Sequence, residues 1–169
     1  MKIIEGLKEL KIIEKRLASL GAQVTEYAAI PAYMKPAFKD ESEQTKELKS
    51  MMQSGEDLVQ RYLKLKRDID YTNVMLTVEM GGKKYSLNTL LNIRRKGAHL
   101  AISLWKSLTE ERAKTQSLKV ASQASPGVVK FYNEQEKNER MGFWQDLYDN
   151  IESRLEVINA TMDLIEAPK

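Results

Sequence analysis

Between Met80 and Asn133 the sequence places Lys83, Lys84, Arg94, Arg95, Lys96, Lys106, Arg112, Lys114, Lys119 and Lys130 against only Glu110 and Glu111, a local charge of +8 from ten cations and two carboxylates. Grouped ammonium and guanidinium side chains do one kind of chemistry well, which is to hold anions: guanidinium as a planar fork, ammonium as a compact point charge. Tyr85 follows Lys84 directly, and Tyr71 and Asn73 precede the same glycine turn, so a stacking ring and a polar amide flank the charge. Arg94 lies on seven-residue steps with Leu87 and Ala101, which aims its guanidinium at the apolar face of the helix predicted there. A charge so placed must be paired with an acidic side chain or liganded by a phosphate or carboxylate, because desolvating it alone is expensive. The alternative for the whole group is structural, with the cations pairing to acidic helix faces such as the one carrying Asp68 and Asp70.

Other chemistries are bounded by counting. The chain has 169 residues, no Cys and one His, so thiolate nucleophiles, disulfides, Cys-based zinc sites and a multi-His metal centre within one chain are excluded. His99 lies five residues after Arg94, about 140° round a helix from it, with no acidic residue close by to orient it. An ordinary surface or satisfied histidine is the simpler reading beside a ligand-binding one. The carboxylate pairs Glu110 and Glu111, and Asp146 and Asp149, sit at the spacings of a solvated helix surface. Gly81-Gly82-Lys83-Lys84 has glycines beside lysines but lacks the spacing of a phosphate loop, and there is no dinucleotide fingerprint, nucleophile elbow or two-His motif. The sequence therefore predicts a protein that is not an enzyme and uses no metal or cofactor.

The elements that must position these residues are helical. Apolar residues make up 42% of the chain and charged residues 30%, with 8 Gly and 4 Pro, a composition suited to helices rather than an all-β domain. Helices are predicted over residues 2–20, 41–78, 87–113 and 131–166. In the first, Ile3, Leu7, Leu10, Ile13, Leu17 and Leu20 recur at steps of three and four, and Gly21 ends the pattern. Pro31 and Pro36 make residues 21–40 a connector, and Tyr27, Ile30, Tyr33, Met34 and Phe38 predict that it packs on something. The second helix, at 38 residues, would span roughly 55 Å, with Leu48, Tyr62, Ile69 and Leu76 on one seam and Met51, Leu58 and Leu65 on the other.

Gly81-Gly82 between short alternating runs predicts a small β-hairpin or glycine turn near residues 76–87. The third helix carries Leu87, Leu91, Ala98, Ile102, Trp105 and Leu108 on one face. Residues 115–129 read as a Ser-rich loop ending in the Ser125-Pro126-Gly127 turn. The last helix shows the most regular seam: Met141, Trp144, Tyr148, Ile151, Leu155, Ile158, Met162 and Ile165. The expected architecture is a single, mainly α domain, an elongated antiparallel helical bundle or coiled coil of about four helices with the small hairpin. Its seams are either buried within one subunit or shared in a homo-oligomer.

Several stretches resemble the septicolysin-like proteins, helical proteins of bacteria and their phages. They are Met1-Lys2-Ile3-Ile4-Glu5-Gly6-Leu7, Arg67-Asp68-Ile69-Asp70-Tyr71-Thr72-Asn73, Tyr85-Ser86-Leu87-Asn88 with Arg94, and Ile158-Asn159-Ala160-Thr161-Met162-Asp163-Leu164-Ile165-Glu166, in the same order as in that family. Two departures stand out: Arg95 follows Arg94 where an acidic residue is usual, and Ala160 stands where an aromatic is common. The resemblance implies a long-helix scaffold with a hairpin and an oligomer. It brings no reaction, and it adds weight to Thr72, Asn73 and Arg94 around the glycine turn.

The leading functional expectation is a non-enzymatic homo-oligomer that binds an anionic small ligand, such as a nucleotide-derived signal of phage defence, which it would sequester. Arg94, Arg95, Lys83, Lys84, Tyr85, Tyr71, Asn73 and, across subunits, His99 are the candidate ligand-binding residues. Two alternatives stand beside it: a structural or adaptor coiled coil that binds partner helices, and nucleic-acid binding through the basic middle region. No run of about 18 apolar residues occurs and the N-terminus is charged, which predicts no membrane span and a cytoplasmic location, the host cytoplasm if the protein is phage-encoded.

Overall fold

The structure is a computed structural model and describes residues 1–120 and 127–168. The chain is mainly α, a helical bundle with a small two-stranded hairpin. Its contacts divide it into two compact units, the first formed by residues 1–77 with 158–169, the second by residues 78–157.

In the first unit, helix α1 (Ile3–Tyr27) and helix α2 (Glu41–Met75) pack as an antiparallel pair. The register is read from cross-contacts. The position of a Gly6 side chain is closed by Ile69 and Leu65, that of Gly55 by Leu20, and Glu9 pairs with Arg61 at 2.8 Å. Ile3, Leu10, Ile13 and Ile69 are buried in the seam, as the periodicity predicts. Helix α1 does not stop at Gly21 but runs on to Tyr27, because Val24 and Tyr27 continue the three-and-four spacing. A glycine terminator needs the left-handed backbone, and among the described residues only Gly81 and Gly82 adopt positive φ. Asp40 caps α2, its carboxylate accepting the Glu43 N–H at 2.9 Å.

The connector packs only in part. Phe38 meets Tyr27 edge to face at 5.2 Å, while Tyr33 is 87% exposed and Met34 also faces solvent. The buried Gln44 side chain fastens both ends of this loop, donating to the Tyr27 carbonyl and accepting from the Ala37 N–H.

Strands β1 (Thr77–Met80), in the second unit from Val78 on, and β2 (Lys83–Ser86) form the predicted hairpin, with Gly81 and Gly82 at φ 58° and 73°. Helix α2 ends at Met75, short of residue 78, because Leu76 is already extended. The expected single helix over 87–113 is instead several pieces: α3 (Leu87–Asn92), a π-helical turn (Ile93–Gly97), α4 (Ala98–Lys106) and α5 (Glu111–Val120). Leu90 and Ala98 are eight residues apart, about 80° out of line in an uninterrupted α-helix. Both are fully buried, and the wider π turn between them absorbs the offset. Beyond Lys106 the Thr109 hydroxyl accepts the Glu111 N–H at 3.2 Å and a new helix starts, occupying part of the stretch expected to be loop. Residues 121–126 of that expected loop, including Ser122, Ser125 and Pro126, lie outside the described residues.

Helix α6 (Glu134–Thr161) carries the predicted seam, with Ile151 and Leu155 buried in the second unit and Ile158 in the first. It ends at Thr161, before Met162 and Ile165, which are partly exposed and lie outside the helix, and this corrects the expectation of helix to 166.

Candidate functional site

The candidate site residues divide between the units. Tyr71 and Asn73 are half-buried positions of α2 in the first unit, whereas Lys83, Lys84, Tyr85, Arg94, Arg95 and His99 belong to the second.

Within the second unit, β2 packs on α3, whose start is fixed by Ser86: its hydroxyl accepts the Thr89 N–H at 3.1 Å. Lys83 and Lys84 are exposed on β2, and Tyr85 is half-buried beside them. The π turn then presents Arg94, Arg95 and Lys96 in succession. Arg94 is paired, its Nε lying 3.2 Å from Glu152 of α6, and both side chains are partly exposed. The guanidinium is therefore not held at a buried apolar face, and Glu152 is an acidic partner of the kind expected for it. Seven-residue spacing from Leu87 overestimated its burial because the π turn changes the register before Ala98. His99 is exposed with its ring against Tyr148, centroids 5.3 Å apart.

A second charged group lies where α5 begins. Glu110 accepts from Lys114 at 2.7 Å and pairs with Lys130 at 3.5 Å, and Lys130 also approaches Glu134 at 3.9 Å. The Lys114 hydrogen bond is the main cause holding the Glu110 carboxyl below its usual range, and the same bond, with the carboxylate's charge, pushes the Lys114 ammonium up. Three cations of the basic stretch are thus neutralised. Lys83, Lys84, Arg95, Lys96, Lys106, Arg112 and Lys119 make no ion pair among the described residues. A 460 Å³ cleft in this unit is walled by Glu79, Asp146, Asn150 and Arg154, so the unpaired cations stand on open surface rather than in it.

The sequence reading missed a polar construction in the first unit, where residues 1–7, 67–73 and 158–167 converge. The chain after α6 lies against the start of α1: Ile3 N–H donates to the Met162 carbonyl at 3.0 Å, Leu164 N–H to the Met1 carbonyl at 2.9 Å, and Lys2 pairs with Asp163. The buried Thr72 hydroxyl donates to the Asp68 carbonyl at 2.7 Å and accepts the Ile165 N–H at 2.8 Å, while the Asp68 carboxylate accepts the Ala167 N–H at 3.0 Å. Leu164 fills the space over Gly6, where a Cβ would come within 2.8 Å of its Cδ1. Gly6, Asp68, Thr72 and Leu164 thus belong to one clamp. The available signal was Asp68-x-x-x-Thr72, one helical turn apart beside Leu65, Ile69 and Leu76.

Among the described residues no group of three His, Asp or Glu is arranged to hold a metal ion, and no helix is long and apolar enough to cross a membrane. No family model matches the sequence and no curated protein matches it. The chain is similar in fold to a solved structure described as that of a functionally unknown conserved protein from Corynebacterium diphtheriae, with TM-score 0.57 and 16% identity over 98% of this chain and 99% of that one.

Proposed function

We propose that this chain is a non-enzymatic binding protein for phosphate-bearing anions, taken up on the basic surface of its second unit. The observation that carries the reading is the set of cations without acidic partners, above all Arg95 and Lys96 on the π turn and Lys83 and Lys84 on β2. Cations left unpaired beside a structured backbone turn keep their electrostatic attraction available to a ligand, whereas paired ones such as Lys114 have spent it. Arg94 holds the turn to α6 through Glu152, and Tyr85 offers a ring for a base. Tyr71 and Asn73, which belong to the first unit, are left out of this site. Sequestration of a nucleotide-derived signal is the biological form we favour, in a protein that resembles the septicolysin-like group.

Fluorescence anisotropy at low salt tests this with a labelled mononucleotide, a labelled single-stranded oligonucleotide and inorganic phosphate as competitor. Saturable nucleotide binding weakened about ten-fold or more by Arg95→Ala/Lys96→Ala, at unchanged melting temperature, supports the proposal. Absence of binding, or binding indifferent to that pair, overturns it. The openness of the surface favours nucleic acid as a second reading. In that case the oligonucleotide binds far more tightly than the mononucleotide, and its affinity falls with salt at a slope of about −0.7 per phosphate neutralised.

A further inference from the structure

The first unit leaves one flank of the α1/α2 pair uncovered. A 590 Å³ groove is lined by Leu20 and Val24 of α1 and by Met52 and Val59 of α2, and farther along α2 a second, open hollow of 540 Å³ is lined by Leu63, Tyr71 and Val74 together with Lys66, Arg67 and Asp70. Met52 is 50% exposed, Val59 40% and Leu63 54%, so a stripe about 33 Å long on α2, from position 52 to 74, shows large apolar side chains to solvent. Large apolar side chains left exposed together and rimmed by charged ones mark an interaction site.

The charges along the stripe identify what covers it. Glu56, Val59, Leu63 and Lys66 follow one another at steps of three, four and three, a pattern symmetric about position 61 with opposite charges at its ends. An antiparallel copy of the same helix, related by a two-fold axis at position 61, places Val59 against the partner's Leu63 and Glu56 against the partner's Lys66, and each contact occurs twice. Over a longer range, Glu41, Glu43, Glu47, Glu56 and Asp57 outnumber Lys46 and Lys49 in the first half of α2, whereas Arg61, Lys64, Lys66 and Arg67 follow one another with no acidic residue between them. With the axis at position 61 the run from 61 to 67 lies opposite residues 61 to 55, so Glu56 and Asp57 face it, whereas parallel in-register pairing sets like on like. Glu56 has no ion pair within the chain among the described residues, and Lys66, which serves Asp70, has further N–H donors for a second carboxylate.

We propose that the chain forms a two-fold homodimer through this flank of α2, each copy's helix seated in the groove of the other. The proposal concerns the first unit and does not depend on anion binding by the second.

Sedimentation velocity on the full chain across a concentration series tests it. The expected result is a monomer–dimer equilibrium at micromolar concentration that Leu63→Lys shifts to monomer, raising the dissociation constant about a hundred-fold or more. Helicity and melting of the monomer are expected to be unchanged, because residue 63 faces solvent in the single chain. Glu56→Lys and Lys66→Glu are each expected to weaken the dimer about ten-fold through two symmetric contacts, and the double exchange to recover most of the loss. A wild-type chain that stays monomeric to several hundred micromolar, a dimer indifferent to Leu63→Lys, or a double exchange no better than its single components would overturn the assignment. So would a groove found occupied by a different protein while the chain alone remains monomeric.

Discussion

The two units handle their polar groups in opposite ways. The buried polar residues Gln44, Asp68 and Thr72 all belong to the first unit, and each is engaged in backbone hydrogen bonds that fix a loop or the chain terminus. In the second unit the buried described residues are Leu87, Leu90, Ala98, Ile151 and Leu155, all apolar, and the polar capacity lies outside as cations without partners. Counted over the sequence, the first unit carries fourteen cations and fourteen carboxylates, so the net +3 of the chain belongs to the second. Polar groups satisfied inside specify one geometry, since a buried donor or acceptor left open costs more than its bond contributes. Cations left open outside contribute little to stability and remain available for a ligand. The contrast separates scaffold from site in a chain whose total charge shows neither.

The strongest way to break the contrast is to attack the apolar core of the second unit. Leu90 is fully buried next to the π turn, and Leu90→Ala is expected to cost about 2–5 kcal/mol. Denaturant unfolding would show it as a lower midpoint. A loss under 1 kcal/mol would mean that apolar packing is not what holds this unit. Thr72→Val comes next. It preserves shape but removes the hydroxyl that accepts the Ile165 N–H, at an expected cost of about 1–3 kcal/mol. Thr72→Ser should recover most of it, because the hydroxyl returns. Hydrogen exchange of the backbone around Ile165 reads the same event locally, and an unchanged rate in Thr72→Val would remove the clamp from the account.

Helix periodicity and the glycine turn made much of this architecture legible in the sequence. Ile3, Leu10, Ile13, Ile69, Ile151 and Leu155 are buried where three-and-four or heptad spacing put them, and Gly81-Gly82 turns where two positive φ values are needed. Spacing failed where the backbone left the α-helical repeat. Nothing in Ile93-Arg94-Arg95-Lys96-Gly97 announces a π turn by composition, so Arg94 was assigned to the apolar face and Leu90 was passed over. The break after Lys106 depends on a Thr109 hydroxyl acting as a cap, which a single threonine in a helical pattern does not reveal. The clamp was hidden for a different reason: its donors are backbone N–H groups of residues 165 and 167, and sequence patterns do not show which carboxylate or hydroxyl a distant backbone will meet.

A smaller effect sharpens the contrast from the surface. Arg95→Ala/Lys96→Ala should change unfolding free energy by no more than about 0.5 kcal/mol while removing anion binding. A larger loss of stability would show that these cations serve the fold, and the division between scaffold and site would then fail at its most exposed point.

The smallest expected effects come from the two ion pairs whose titration is shifted, one in each unit. Asp163 is held below its ordinary 3.8 chiefly by the hydrogen bond from Lys2, and Glu110 below its ordinary 4.5 chiefly by that from Lys114. A carboxyl lowered on folding contributes stability that is present above its unfolded value and is lost as pH falls through the folded one. Lys114 is raised above 10.5, so its share is present below that value and is lost as pH rises through the folded value. All these groups are solvent-exposed, so salt screens both pairs and the stability involved is slight. Carboxyl chemical shifts followed through acid titration should show Asp163 returning toward 3.8 in Lys2→Met and Glu110 rising in Lys114→Met. Neither return should be complete, because Lys130 still faces Glu110 at 3.5 Å and the N-terminal ammonium still faces Asp163 at 3.8 Å. A complete return at Glu110 would mean that Lys130 exerts no field there and that the segment 127–133 is not tied to α5 by charge.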